Sequence, residues 1–181
     1  MQTIKYSLVL MFLMGAAHSV RADSFCEDCE VQMGIGGTYH FWGRTDGVVL
    51  PLTVSWHENR YEAGVFRMAS PQTLGGSGGS DREKLADPYW GVSVSRRWVL
   101  LERGPVRGYF GFGLAYREKT DVLSATHWDF ASQLGLRVKL PREGSAVELT
   151  FRHWSNAGIE QPNHGQDFAT LTFLLNPTFF R

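Results

Sequence analysis

The residues best placed to do chemistry lie near the C-terminal end. His153 and Ser155 stand two apart, Asn156 and Gly158 follow, and Asp167 comes after a turn marked by Gln161-Pro162-Asn163. A hydroxyl, an imidazole, a carboxylate and nearby N–H donors are the components of serine hydrolysis: nucleophile, general base, orienting acid and oxyanion donors. On a strand, side chains at i and i+2 share a face about 6.6 Å apart, a gap that an imidazole mostly spans. His153 and Ser155 therefore point the same way, with Val147, Leu149 and Phe151. By the same count Asp167 belongs with Ala169, Leu171, Phe173 and Leu175. All three groups thus fall on the apolar faces of consecutive segments. Glu160 is a second candidate for the acid, but it sits in the turn with no fixed direction. The same residue types also suit an ordinary strand end and turn, so a non-catalytic rim stays open at this point.

The elements that must hold these groups read as strands. Eight alternating segments follow one another: Val31 to Gly43, Val48 to Trp56, Tyr61 to Met68, Tyr89 to Leu101, Val106 to Arg117, His127 to Leu140, Ala146 to Asn156 and Asp167 to Phe179. Thr45-Asp46-Gly47, His57-Glu58-Asn59-Arg60, Glu102-Arg103-Gly104-Pro105 and Pro141-Arg142-Glu143-Gly144 separate four pairs of them. Such clusters supply the dihedrals that turns need. In the sixth segment Trp128, Phe130, Leu134, Leu136, Val138 and Leu140 oppose His127, Asp129, Gln133, Arg137 and Lys139. In the fifth, Phe110, Phe112, Leu114 and Tyr116 oppose Arg107, Tyr109, Gly111, Gly113 and Arg117.

A soluble sandwich buries the apolar face, and a membrane barrel turns it outward. Alternation alone does not separate the two. Segment lengths near the roughly 9–11 residues of a spanning strand, an even strand count and aromatics near segment ends favour an all-β fold, an eight-stranded antiparallel transmembrane β-barrel. Trp42, Trp56, Tyr89, Trp90, Trp128 and Trp154 are the expected interfacial girdle. The connections after segments two, four and six are short. Ala69 to Pro88, Glu118 to Thr126 and Ala157 to Gln166 are long. Long connections mark the outer side of bacterial barrels, which sets His153, Ser155 and Asp167 at the outer rim. The brief Arg44 to Gly47 connection is an exception, and the Gly75-to-Ser80 run reads as a mobile loop.

The start of the chain has the form of a secretory signal over residues 1–22, with Lys5, an apolar run from Tyr6 to Ala17 and Val20-Arg21-Ala22 before Asp23. That run is short of the roughly 20 residues of a spanning helix. Residues 23–30 form an expected periplasmic segment carrying Cys26 and Cys29, and residues 31–181 the barrel. A Cys-x-x-Cys in an exported chain suits a local disulfide; no second pair completes a zinc site. Eighteen basic and eighteen acidic residues cancel, which argues against nucleic acid as a partner.

His153-x-Ser155-Asn156 on a penultimate strand, then Gln161-Pro162-Asn163, Gly165 and an acidic residue, resembles the lipid A 3-O-deacylases of the PagL type. The resemblance implies an eight-stranded barrel in the outer membrane of a Gram-negative bacterium and a substrate of lipid A or lipopolysaccharide. It implies Ser155 as nucleophile, His153 as base, Asp167 as acid, Asn156 and Gly158 as oxyanion donors, and no cofactor or metal. The family commonly carries glutamate where Asp167 stands, so this acid is one methylene shorter. Arg44, Arg82, Lys84 and Lys119 are candidates to meet the lipid phosphates. The terminal Pro177-Thr178-Phe179-Phe180-Arg181 is similar to the signal read by the barrel-assembly machinery, with Arg181 as a departure. Other readings are a phospholipase or acyltransferase on a similar barrel, a structural or adhesive barrel, and a soluble lipid-binding barrel.

Overall fold

The computed structural model describes residues 28–39, 44–45, 47–75, 83–142 and 144–175. The expected signal, Cys26, Trp42, Arg82 and the C-terminal Pro177–Arg181 signature lie outside them. The strands are β1 (Glu30–Tyr39), β2 (Arg44–Thr45), β3 (Val48–Trp56), β4 (Tyr61–Met68), β5 (Gln72–Gly75), β6 (Glu83–Ala86), β7 (Tyr89–Arg103), β8 (Val106–Arg117), β9 (Trp128–Lys139), β10 (Ala146–Ser155) and β11 (Gln166–Leu175). Eight of them close into an antiparallel barrel in the order β1-β11-β10-β9-β8-β7-β4-β3. Closure is made by β1, which pairs with β11 on one side and β3 on the other.

The alternation expected from the sequence is present, and its sense is inverted relative to a soluble protein. Ile35, Val94 and Leu134 point outward and are 57%, 51% and 54% exposed, whereas Glu62, Glu148 and Arg97 in the interior are 1%, 2% and 3% exposed. An apolar outer wall around a polar lumen is stable only where the outer solvent is hydrocarbon. The lumen is filled rather than open. Arg97 bonds Glu62 and Glu148, Arg152 bonds Glu62 and Gln133, and the Tyr109 hydroxyl donates to Glu148 at 2.5 Å. The Tyr109 ring lies on Gly135, where a Cβ would meet its Cζ at 2.1 Å. Only glycine lets that ring, and the Arg97 guanidinium 4.2 Å above it, into the lumen.

Toward the rim with the long connections the lumen turns apolar. Trp154, Phe66 and Phe168 meet edge to face at centroid distances of 5.1–5.5 Å, with Val49, Met68, Tyr89 and Leu123 buried around them. Two expected girdle residues are corrected here. Tyr89 and Trp154 are 0% and 1% exposed and belong to this plug, because strand parity sets them with the inward Gly91 and Arg152. Trp90 and Trp128 do face outward, and Trp98, stacked on Phe110, joins them on the outer wall.

Two connections also differ from expectation. The segment from Ala69 to Pro88 contains β5 and β6, which form a small sheet with β2. These strands are two to four residues long, too short for a period-2 pattern to register. The described part of β1 ends at Tyr39 and β3 starts at Val48, so this connection too is long enough to carry β2. Cys29 is disulfide-bonded.

Candidate active site

Four consecutive barrel strands contribute one transverse row to the outer wall. In register, Tyr39 of β1 lies opposite Asp167 of β11, Asp167 opposite His153 of β10, and His153 opposite Ser132 of β9. His153 Nδ1 is bonded to Asp167 Oδ1 at 2.7 Å. The two residues are fourteen apart in sequence, and the β10–β11 pairing brings them together. With Nδ1 committed to the carboxylate, Nε2 is the ring nitrogen left to face a substrate. The Asp167 side chain is 2% exposed although its parity is outward, while that of His153 is 44% exposed. Tyr39 on β1 and His153 on β10 flank it in register. Tyr39 in turn packs edge-on against Phe151, 6.2 Å between centroids.

Ser155 ends β10 on the same outward face and is partly exposed. Among the described residues its Oγ makes no hydrogen bond. The Ser155–His153 hydrogen bond of a serine triad is thus not formed here; in catalytic sites such bonds are often long or poorly aligned before the Michaelis complex. Glu160, the alternative acid, is exposed in the turn, so Asp167 is the carboxylate at the imidazole.

The turn after Ser155 is built by Asn156. Ile159 N donates to Asn156 O at 3.1 Å, and Ala157 and Gly158 both take positive φ, 55° and 80°. An alanine in the left-handed region costs about 1–2 kcal/mol, which the side chain of Asn156 helps offset. Its Oδ1 accepts from Gly158 N at 2.9 Å and its Nδ2 donates to Glu160 O at 2.8 Å. The backbone N of Asn156 donates to Asn163 Oδ1 at 3.2 Å. The structure thus sets the two expected oxyanion residues beside the serine, with their donors engaged by the loop.

Sequence reasoning missed the role of Gly165. A Cβ there would lie 2.5 Å from His153 Cε1, and its φ is 76°. Its N–H donates to Leu123 O at 2.8 Å, and Ala125 N donates to Pro162 O at 2.9 Å. The β8–β9 connection therefore braces the shelf behind the imidazole. That connection is itself pinned by Arg117 to Asp121 at 2.7 Å and Ser124 to Asp129 at 2.7 Å. A glycine two residues before the acid was the available signal. Of the expected phosphate contacts, Lys119 is exposed and donates to Pro88 O at 3.2 Å. Only the backbones of Arg44 and Lys84 are described.

A filled, eight-stranded barrel with an apolar outer wall and a His–carboxylate pair on that wall defines a class: a membrane barrel with a hydrogen-bonded polar pair on its lipid-facing side. The family model described as lipid A 3-O-deacylase (PagL) matches residues 53–176, more than half of the 181, and the chain belongs to that family. Among solved structures it is similar to the outer membrane enzyme PagL, at 18% identity and a TM-score of 0.60, covering 81% of this chain and 99% of that one. It is also similar to Neisserial surface protein A, at 10% identity and a TM-score of 0.43, covering 81% of this chain and 93% of that one. No curated protein sequence matches the chain.

Proposed function

We propose that this lipid A deacylase works as a serine esterase from the outer leaflet of the outer membrane, with Ser155, His153 and Asp167 as its triad. The observation that carries the reading is the 2.7 Å bond between His153 Nδ1 and Asp167 Oδ1 on the apolar outer wall, two residues from Ser155. An imidazole and a carboxylate on a lipid-facing wall carry a desolvation cost that the fold does not require, which supports a functional role for the pair. The fold also has a lumen in which charged side chains are paired, as Arg97 is with Glu148 and Arg152 with Glu62.

The substrate stays in the leaflet and presents the ester at sugar position 3 sideways to the rim. Ser155 Oγ attacks the carbonyl carbon as its proton passes to His153 Nε2, and the carbonyl π pair moves onto the oxygen. Asp167 holds the ring through Nδ1–H and stabilises the imidazolium. The tetrahedral species collapses, the ester C–O bond breaks, and the His153 proton goes to the departing sugar oxygen. Water then attacks the acyl-Ser155 ester with the same base and releases the fatty acid. Asn156 and Gly158 serve as oxyanion donors if bound substrate takes over one of the loop bonds. The longest of these, Asn156 N to Asn163 Oδ1 at 3.2 Å, gives way most readily.

The test is mass spectrometry of lipid A and of phospholipids from Gram-negative cells expressing the parent or Ser155→Ala. Loss of one ester-linked chain from lipid A with the parent alone is expected. Deacylated phospholipid with lipid A intact would replace the substrate, and equal products from both proteins would remove the triad.

A further inference from the structure

The polar row on the outer wall ends on a residue that neither the family resemblance nor the triad uses. Ser132 on β9 lies opposite His153 in register and is outward and partly exposed. Its other neighbours along β9 and on β8 are apolar. Phe130 and Leu134 flank it along β9, and Phe112 lies opposite it on β8, stacked on Phe130 at 6.0 Å. Among the described residues its hydroxyl has no hydrogen-bond partner. An unpaired hydroxyl turned toward hydrocarbon gains nothing for the fold.

Its position relative to the triad is specific. Ser155 lies opposite Phe130, so Ser132 is the diagonal neighbour of Ser155 across β9 and β10. Diagonal pairs are separated by roughly 7–8 Å, and directly opposite pairs by roughly 4.5–5.5 Å between Cβ atoms. A carbonyl attacked by Ser155 Oγ fits between the two hydroxyls. The bond to Asp167 on β11 draws the imidazole toward that strand, away from β9. The base thus stands on one side of the carbonyl and Ser132 on the other, where the oxygen's charge develops. Meanwhile Asn156 Nδ2, Gly158 N and Asn156 N all have acceptors within the loop, and the Asn156 side chain is turned inward with the residue 1% exposed.

We infer that Ser132 is a catalytic residue that donates its hydroxyl to the oxyanion of the tetrahedral species. The inference rests on Ser155 as nucleophile. As Ser155 Oγ bonds to carbon and the π pair moves to oxygen, Ser132 Oγ–H donates to that oxygen. It keeps its own proton throughout and releases the oxygen when the carbonyl re-forms. A preorganised donor of this kind contributes about 10²–10³-fold to kcat.

Two isosteric variants isolate the hydroxyl. The full-length proteins Ser132→Thr and Ser132→Val, both β-branched and suited to a strand, are assayed on lipid A in detergent micelles. Folding is checked by retention of the compact barrel's gel mobility. The expected result is a kcat within a few-fold of the parent for S132T and about 10²-fold lower for S132V, with KM little changed in both. A serine with no catalytic role leaves S132V as active as S132T, and that outcome overturns the inference. A fluorophosphonate probe, which phosphonylates a nucleophilic serine with release of HF, separates the two layers. Adduct on Ser155 in the parent with slowed labelling in S132V supports both. Adduct on Ser155 with unchanged labelling and unchanged kcat in S132V overturns the role of Ser132 and leaves the triad standing. Adduct on Ser132 overturns the triad itself.

Discussion

Strand β10 carries two polar clusters on its two faces, and they have opposite fates. Inward, Glu148, Thr150 and Arg152 enter a network with Glu62, Arg97, Tyr109 and Gln133. Outward, His153 and Ser155 stand on an apolar wall. In the lumen, charge meets countercharge: Arg152 Nη1 lies 2.8 Å from Glu62 Oε1, and Arg97 Nη2 lies 2.9 Å from Glu148 Oε1. On the wall, His153 is held by one partner and Ser155 by none among the described residues. Charges paired inside the barrel hold its strands together, whereas polar groups on the lipid-facing wall stand within reach of a substrate. Parity alone, one residue to the next, separates the lumen set from the proposed catalytic set.

The comparison breaks most visibly at Ser155. Ser155→Ala is expected to lower kcat on lipid A by about 10⁶-fold while the barrel folds as before; appreciable turnover in the purified variant would transfer the chemistry elsewhere. Asp167→Asn keeps the shape but disfavours the tautomer with Nε2 free, with an expected loss of about 10⁴-fold. If single-turnover assays show D167N near parent rate, the carboxylate is only a rim residue. The inward set should answer differently. Glu62→Ala strips Arg97 and Arg152 of their shared carboxylate, at a cost of about 3–5 kcal/mol. A lowered urea midpoint with parent-like kcat for the folded fraction is expected, and lost activity in a fully folded E62A would merge the two clusters. The smallest effect is at Gly165. A Cβ 2.5 Å from His153 Cε1 must push the ring aside. About a 10²-fold drop in kcat at nearly constant KM is expected for Gly165→Ala, and steady-state kinetics on lipid A in micelles would read it.

Much of this was legible in the residues because alternation is local. The limits of β3, β4 and β8 coincide with the expected segments. The common outward face of His153 and Ser155 follows from a count of two. Trp154 and Tyr89 went astray because aromatic character outweighed parity in assigning them to a girdle; each is even or odd with its inward neighbours. Ser132 was legible by the same count, as a lone hydroxyl between Phe130 and Leu134. Its meaning was not, since only the β9–β10 register sets it opposite His153. Gly165 stood in the motif, but its use as a shelf needs the fold of two loops at once.

The sequence by itself determined the eight barrel strands, favoured the inverted sense of their faces once membrane lengths were considered, and supplied the residue types able to hydrolyse an ester. These depend on a two-residue period and on intrinsic chemistry, both carried by a few neighbouring positions. Only the tertiary structure decided that Asp167 rather than Glu160 reaches His153, that the β8–β9 connection braces the imidazole, and that Asn156 and Gly158 spend their donors inside the loop. The first of these depends on the register between β10 and β11, where a shift of one residue would send His153 or Asp167 to the other face. The Asn156 and Gly158 bonds instead close within the turn, at backbone dihedrals that the residue types alone leave open.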